Sequence, residues 1–76
     1  MKLYKFFSKP GSWCQHAMVK GEACCLLGAI DKFYKGHKSS IVSRVRDKLK
    51  RSIVWWNDHP QRTREDVVAL CKELDI

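Results

Sequence analysis

Several things are scarce in this chain of 76 residues. No apolar run approaches the roughly 20 residues that cross a bilayer, and the opening Met1-Lys2-Leu3-Tyr4-Lys5-Phe6-Phe7 is interrupted by Lys5 and followed by Lys9. A protein that is neither secreted nor membrane-spanning, and hence cytoplasmic, is the expectation. No repeat or low-complexity segment is present, which excludes a solenoid or array. Paired metal ligands two to four residues apart, repeated twice, are also missing. Acidic residues are few, eight against fifteen Lys and Arg.

Apolar side chains are plentiful. They make up 45% of the chain and include three Trp, three Phe and two Tyr, enough for one compact core without metal or disulfides at a length near the lower limit for a single domain. Residues 1–76 therefore read as one small domain. The four cysteines lack the secretory context that a disulfide framework needs. Cys24 and Cys25 are adjacent, which strains a bond between them, and Cys71 falls on an apolar helix face. Free thiols, buried or partly buried, are expected.

The net charge of +7 is unevenly spread: residues 1–30 carry +3, residues 31–56 carry +6 and residues 57–76 carry −2. A basic centre speaks to partners of negative charge, an acidic protein, a nucleoprotein complex or nucleic acid.

Taken in order, Leu3, Tyr4, Phe6 and Phe7 suit a short helix or an edge segment. Pro10-Gly11-Ser12 breaks the chain. Trp13 to Lys20 fits a small hairpin or an irregular loop, closed by the turn Lys20-Gly21-Glu22. Leu26, Leu27, Ile30, Phe33 and Tyr34 recur at helical spacing, which predicts a buried central helix over Cys24 to Tyr34 with Gly36 as its stop. Ser39 and Ser40 offer an N-cap to a helix of about four turns, along which Ile41, Val42, Val45, Leu49, Ile53 and Trp56 face inward. Its outward side then carries Arg44, Lys48 and Arg51 in one row and Arg46 and Lys50 in another, relieved only by Asp47. The last helix runs from Arg64 to Leu74, with Glu65 and Asp66 near its positive end.

Between those two helices lies Trp56-Asn57-Asp58-His59-Pro60-Gln61-Arg62-Thr63, a dense turn. Asn57 and Asp58 offer side-chain oxygens, Pro60 forbids helix, and Thr63 with Asp66 has the spacing of a capping box. Arg62 is expected to pair with Asp58 or a helix carboxylate. Trp55 and Trp56 point about 100° apart on a helix; Trp56 is assigned inward and Trp55 to partial exposure. Together with Trp13-Cys14-Gln15 and Cys25-Leu26-Leu27-Gly28-Ala29, the Trp56-Asn57-Asp58 and Arg62-Thr63 pattern resembles a family of short bacterial and phage proteins of unknown function, over about residues 13–74. The resemblance implies a final helix and no particular activity. The short N-terminal region, the brief Lys20-Gly21-Glu22 connection and the basic middle depart from the family pattern, so the role of any longer loop in relatives does not carry over.

Cys14, Cys25, His16, His37, His59, Asn57 and Asp58 include the residue types of a thiol catalyst, but their spacing does not force them together. Zinc could be drawn from Cys14, His16, Cys24 or Cys25 with His59, against the ordinary spacing of structural zinc. No metal and no cofactor are expected, and His16 and His37 read as surface residues. The fold expected is mostly α, three main helices with a short N-terminal helix or hairpin-like excursion. The function expected first is a non-enzymatic binding protein, phage- or prophage-derived, using Arg44, Arg46, Lys48, Lys50, Arg51 and Trp55 on an acidic or nucleic-acid-binding surface of a host complex. By analogy of size and charge this would be an inhibitor of bacterial defence or transcription machinery. The alternatives are a cysteine-dependent enzyme centred on Cys14 or Cys25, and a direct nucleic-acid binder, for which no motif is present.

Overall fold

A computed structural model describes residues 1–76. Its centre is helix α2 (Leu26–Phe33), whose Leu26, Ala29 and Ile30 are fully buried. Against α2 pack α1 (Leu3–Phe7), α3 (Lys38–Leu49) and α4 (Ile53–Asn57), and α5 (Arg64–Leu74) packs on α1. The fold is mostly α, with three longer helices, two single-turn ones and a two-stranded hairpin, β1 (Val19–Lys20) and β2 (Ala23–Cys24). Gly21 turns this hairpin at φ +63°, a conformation that costs glycine little.

The open choice at the N-terminus resolves to helix. Leu3 and Phe7 on α1 are buried, and Phe6 meets Phe7 and Phe33 with ring centroids 5.1 and 5.0 Å apart. Arg64 Nη1 donates to the carbonyls of Phe7 (2.9 Å) and Ser8 (3.0 Å), satisfying groups that the end of α1 leaves without partners. Tyr4 N donates to Ile76 O at 3.2 Å, so α1 lies along α5. The shared core joins Leu3, Phe7, Leu26, Ile30, Val45, Val67 and Cys71.

Three local expectations are corrected. The single helix expected over residues 40–56 is two: α3 ends at Leu49, Lys50 turns left-handed at φ 58°, and Ser52 begins α4 by accepting the Trp55 amide at 3.1 Å. Ile41, Val45 and Ile53 are all buried nonetheless, because the kink re-aims the apolar stripe rather than ending it. Ser39 and Ser40 lie inside α3, whose N-cap is His37 with no side-chain cap bond. Gly36 sits in a 3-10 turn (Lys35–His37) after α2 and has no positive φ, so α2 stops without a left-handed glycine. At α5 the capping box is present: Thr63 accepts from Asp66 N at 3.2 Å and Asp66 accepts from Thr63 N at 3.0 Å.

Candidate binding surface

The dense turn does more than cap. Asn57, fully buried at the end of α4, accepts at Oδ1 from Trp13 Nε1 (2.7 Å) and Leu26 N (3.0 Å). Its Nδ2 donates to Cys14 O (3.1 Å) and Asp58 Oδ1 (3.0 Å). Every hydrogen-bonding position of the amide is thus used. The Leu26 amide is one of the orphan donors at the start of α2, so a side chain from α4 caps another helix instead of its own. Gln15 Nε2 donates to the carbonyls of Asn57 (3.0 Å) and His59 (2.9 Å), and His16 N donates to Asp58 Oδ1 at 3.0 Å. Residues 13–16 are in this way stapled to residues 57–59.

The Cys25 to Ala29 motif belongs to the same interlock. Cys25 caps α2, its Sγ accepting from Gly28 N at 3.2 Å, and its own amide donates to Met18 O at 3.1 Å. A Cβ on Gly28 would stand 2.1 Å from Met18 O, so only glycine lets α2 approach the backbone ahead of β1 so closely. Arg62 does not pair with Asp58. Its guanidinium stacks 4.0 Å from the Trp56 ring centre and Nε donates to Trp56 O at 2.8 Å, because Trp56 O and ring lie nearer than the carboxylate held by His16 and Asn57.

Asp58 titrates below the ordinary carboxylate range. Burial alone would raise it, but the His16 amide, Asn57 Nδ2 and the His16 imidazole hold the charged form. The thiols of Cys14 and Cys24 are pushed up, mainly by burial and for Cys14 also by the neighbouring cysteines. Cys71 is pushed up to about 12 by burial alone. All four cysteines are free, and no three His, Cys, Asp or Glu side chains converge to hold a metal ion. No helix is long and apolar enough to cross a membrane.

The basic residues divide differently from the two rows expected. Arg44 Nη2 donates to Leu74 O and Lys48 Nζ pairs with Glu73 at 2.6 Å, so this side of α3 is spent on the end of α5, where cations meet the negative pole of a helix. Arg51 cannot join them, because the break at Lys50 swings it onto Trp55, 4.3 Å from the ring centre. Arg46, Lys50 and Arg51 instead line a groove of about 490 Å³ with the hydroxyl-bearing Ser39, Ser43 and Ser52. None of these three cations makes an ion pair, while Asp47 lines the same groove. Trp55 is 52% exposed beside it.

A second cleft, of about 410 Å³, is lined by His16, Met18, Cys25, Val54 and Asp58. It gathers three of the residue types of a thiol catalyst that the sequence leaves scattered. His16 Nδ1 lies 3.7 Å from Asp58 Oδ2; Cys14 and His59 do not line this cleft. Sequence reasoning missed Gln15, Met18 and Gly28 as members of the interlock. The Gln15 of the Trp13-Cys14-Gln15 motif was the signal available.

Residues 9–74 match DUF6197, described as a family of unknown function. No curated protein and no solved structure matches significantly.

Proposed function

We propose that this chain, which belongs to the DUF6197 family, is a non-enzymatic binding protein that receives an anionic partner in the groove formed by α3 and the Lys50–Ser52 link to α4. One observation carries the reading: Arg46, Lys50 and Arg51 line one concavity whose single carboxylate, Asp47, forms an ion pair with none of them, while Arg44 and Lys48 are already engaged by α5. Like charges held together lower stability unless an opposite charge approaches, and such a cluster steers an anionic partner toward it. An acidic host protein or nucleoprotein complex is the partner class, in the cytoplasm, where free thiols persist. A phage or prophage inhibitor of host machinery is the setting that small size and positive charge fit by analogy.

The test compares Arg46→Glu and Lys50→Glu with Lys5→Glu on the exposed side of α1, using hexadeca-glutamate and a 16-nucleotide oligothymidylate as probes. The groove reversals are expected to weaken binding and flatten its salt dependence, and Lys5→Glu to leave both unchanged. Equal effects at all three positions would reduce the groove to a solubilising surface.

The cysteine-dependent reading stands second, favoured by the cleft that brings Cys25, His16 and Asp58 together. Cys25 Sγ accepts a hydrogen bond from Gly28 N at the start of α2, but the residue is only 4% exposed. Alkylation by iodoacetamide at neutral pH tests it. Cys25 labelling faster than a free thiol, and slowed by His16→Ala, would promote the enzyme reading; labelling only on unfolding removes it.

A further inference from the structure

Beside the basic groove lies an apolar cleft of about 250 Å³, with Leu27, Val42, Ile53 and Val54 in its wall. The two are one surface, since Val42, Arg46 and Ser52 line both. Val54 continues the apolar wall into the cleft that holds Met18. Two exposed apolar side chains stand in these walls, Met18 at 42% and Val54 at 43%.

We infer that the partner of this surface is an acidic amphipathic protein helix, which seats apolar residues in the Leu27–Val42–Ile53–Val54 cleft and sets its carboxylates against Arg46, Lys50 and Arg51. The inference rests on the reading of the groove as an anion site and adds what the anion is carried on. Charge complementarity supplies one half of the argument: an apolar anchor and a cationic rim side by side match a helix with an apolar stripe and acidic flanks. A helix of about 16 residues is about 24 Å long, comparable to the 26 Å long dimension of the domain.

A phosphate chain fits less well, for two reasons on the same surface. It offers nothing aliphatic for the Val54 cleft. Trp55 is not an open stacking platform, because Arg51 covers its face and His59 meets its ring at 5.8 Å between centroids, edge to face.

The experiment measures binding of four labelled probes: a 16-residue peptide of Leu and Glu with Leu at three- and four-residue spacing, the same composition rearranged without that spacing, hexadeca-glutamate, and a 16-nucleotide oligothymidylate. The amphipathic peptide is expected to bind about tenfold more tightly than the rearranged one, and Val54→Gln to remove about tenfold of that affinity while leaving the other probes unchanged. Arg46→Glu should weaken every probe that binds. Should Val54→Gln fail to fold, methyl resonances of Leu27, Val42, Ile53 and Val54 in the wild type shift with the amphipathic peptide and not with hexadeca-glutamate.

Equal binding of the two Leu-Glu peptides, with Arg46 dependence kept, overturns this inference and leaves the anion groove standing. Tightest binding by oligothymidylate replaces the helix with nucleic acid. Failure of all four probes overturns both readings together.

Discussion

Replacing Asn57 by Ala should cost this domain a large share of its stability, and the hydrogen bonds around it allow the amount to be worked. The truncation orphans two donors, Trp13 Nε1–H and Leu26 N–H, and removes the donor from Cys14 O. Each buried donor left without a partner costs about 1–3 kcal/mol. Water can reach the partly buried indole, whereas the Leu26 amide sits in the core, so about 3–5 kcal/mol in total is expected. A chain of 76 residues has only roughly 4–11 kcal/mol to lose. Asn57→Asp sharpens the point: it keeps the acceptor for Trp13 and Leu26 but sets a carboxylate against Asp58 Oδ1, where an amide N–H now donates at 3.0 Å. Its penalty should shrink as pH falls far enough to protonate one of the two. Urea unfolding followed by tryptophan emission and by far-ultraviolet circular dichroism gives the free energies, and the Trp13 indole N–H resonance reports the bond itself. A loss below about 1 kcal/mol for Asn57→Ala, with the indole resonance unmoved, would refute the account of Asn57 as the centre of the interlock.

Gly28→Ala drives a Cβ to 2.1 Å from Met18 O and should destabilise by more than about 2 kcal/mol, visible as a fall in Tm, where an open-space change such as Gly36→Ala does not. Thr63→Ala removes one half of the α5 capping box and should cost about 0.5–2 kcal/mol in thermal melts. Because Asp58 is depressed in the fold, its contribution is complete above the unfolded carboxylate pKa of about 3.9 and is lost as pH falls through the lower folded value. Denaturation midpoints from pH 7 down to pH 2 should therefore decline more steeply for the wild type than for Asp58→Asn. Cys71, pushed up to about 12, should resist alkylation until the chain unfolds.

The parts of the fold legible in the sequence are those written in local chemistry. Thr63 and Asp66 announce the start of α5 because both halves of a capping box are three residues apart, and Pro10-Gly11 announces a break because neither residue continues a helix. The break at Lys50 carries no such mark: apolar residues keep helical spacing through Ile53 and Trp56, no Pro or Gly intervenes, and only Ser52 ahead of Ile-Val-Trp hints at a new start. With that break missed, Arg51 falls in the wrong row and the groove cannot be drawn. That Asn57 reaches beyond its own turn is hidden for a related reason. Its partners, Trp13 and Leu26, lie 44 and 31 residues away, and side-chain spacing holds no information about what the chain brings back from such a distance.

That same distance governs how fast the protein assembles. Helices α2, α3 and α5 need only local contacts and can flicker into place within microseconds, as helical segments do. The staple between residues 13–16 and 57–59 must instead close loops spanning 42 to 44 residues, an entropic cost met before any of its bonds reward it. Folding should run slower than so helical a chain suggests, because the loop is drawn in at the barrier while the staple's hydrogen bonds form only beyond it. Substitutions at Gln15 or Asn57 then act almost wholly by hastening unfolding, which makes the interlock the latch that sets how long the native state lasts.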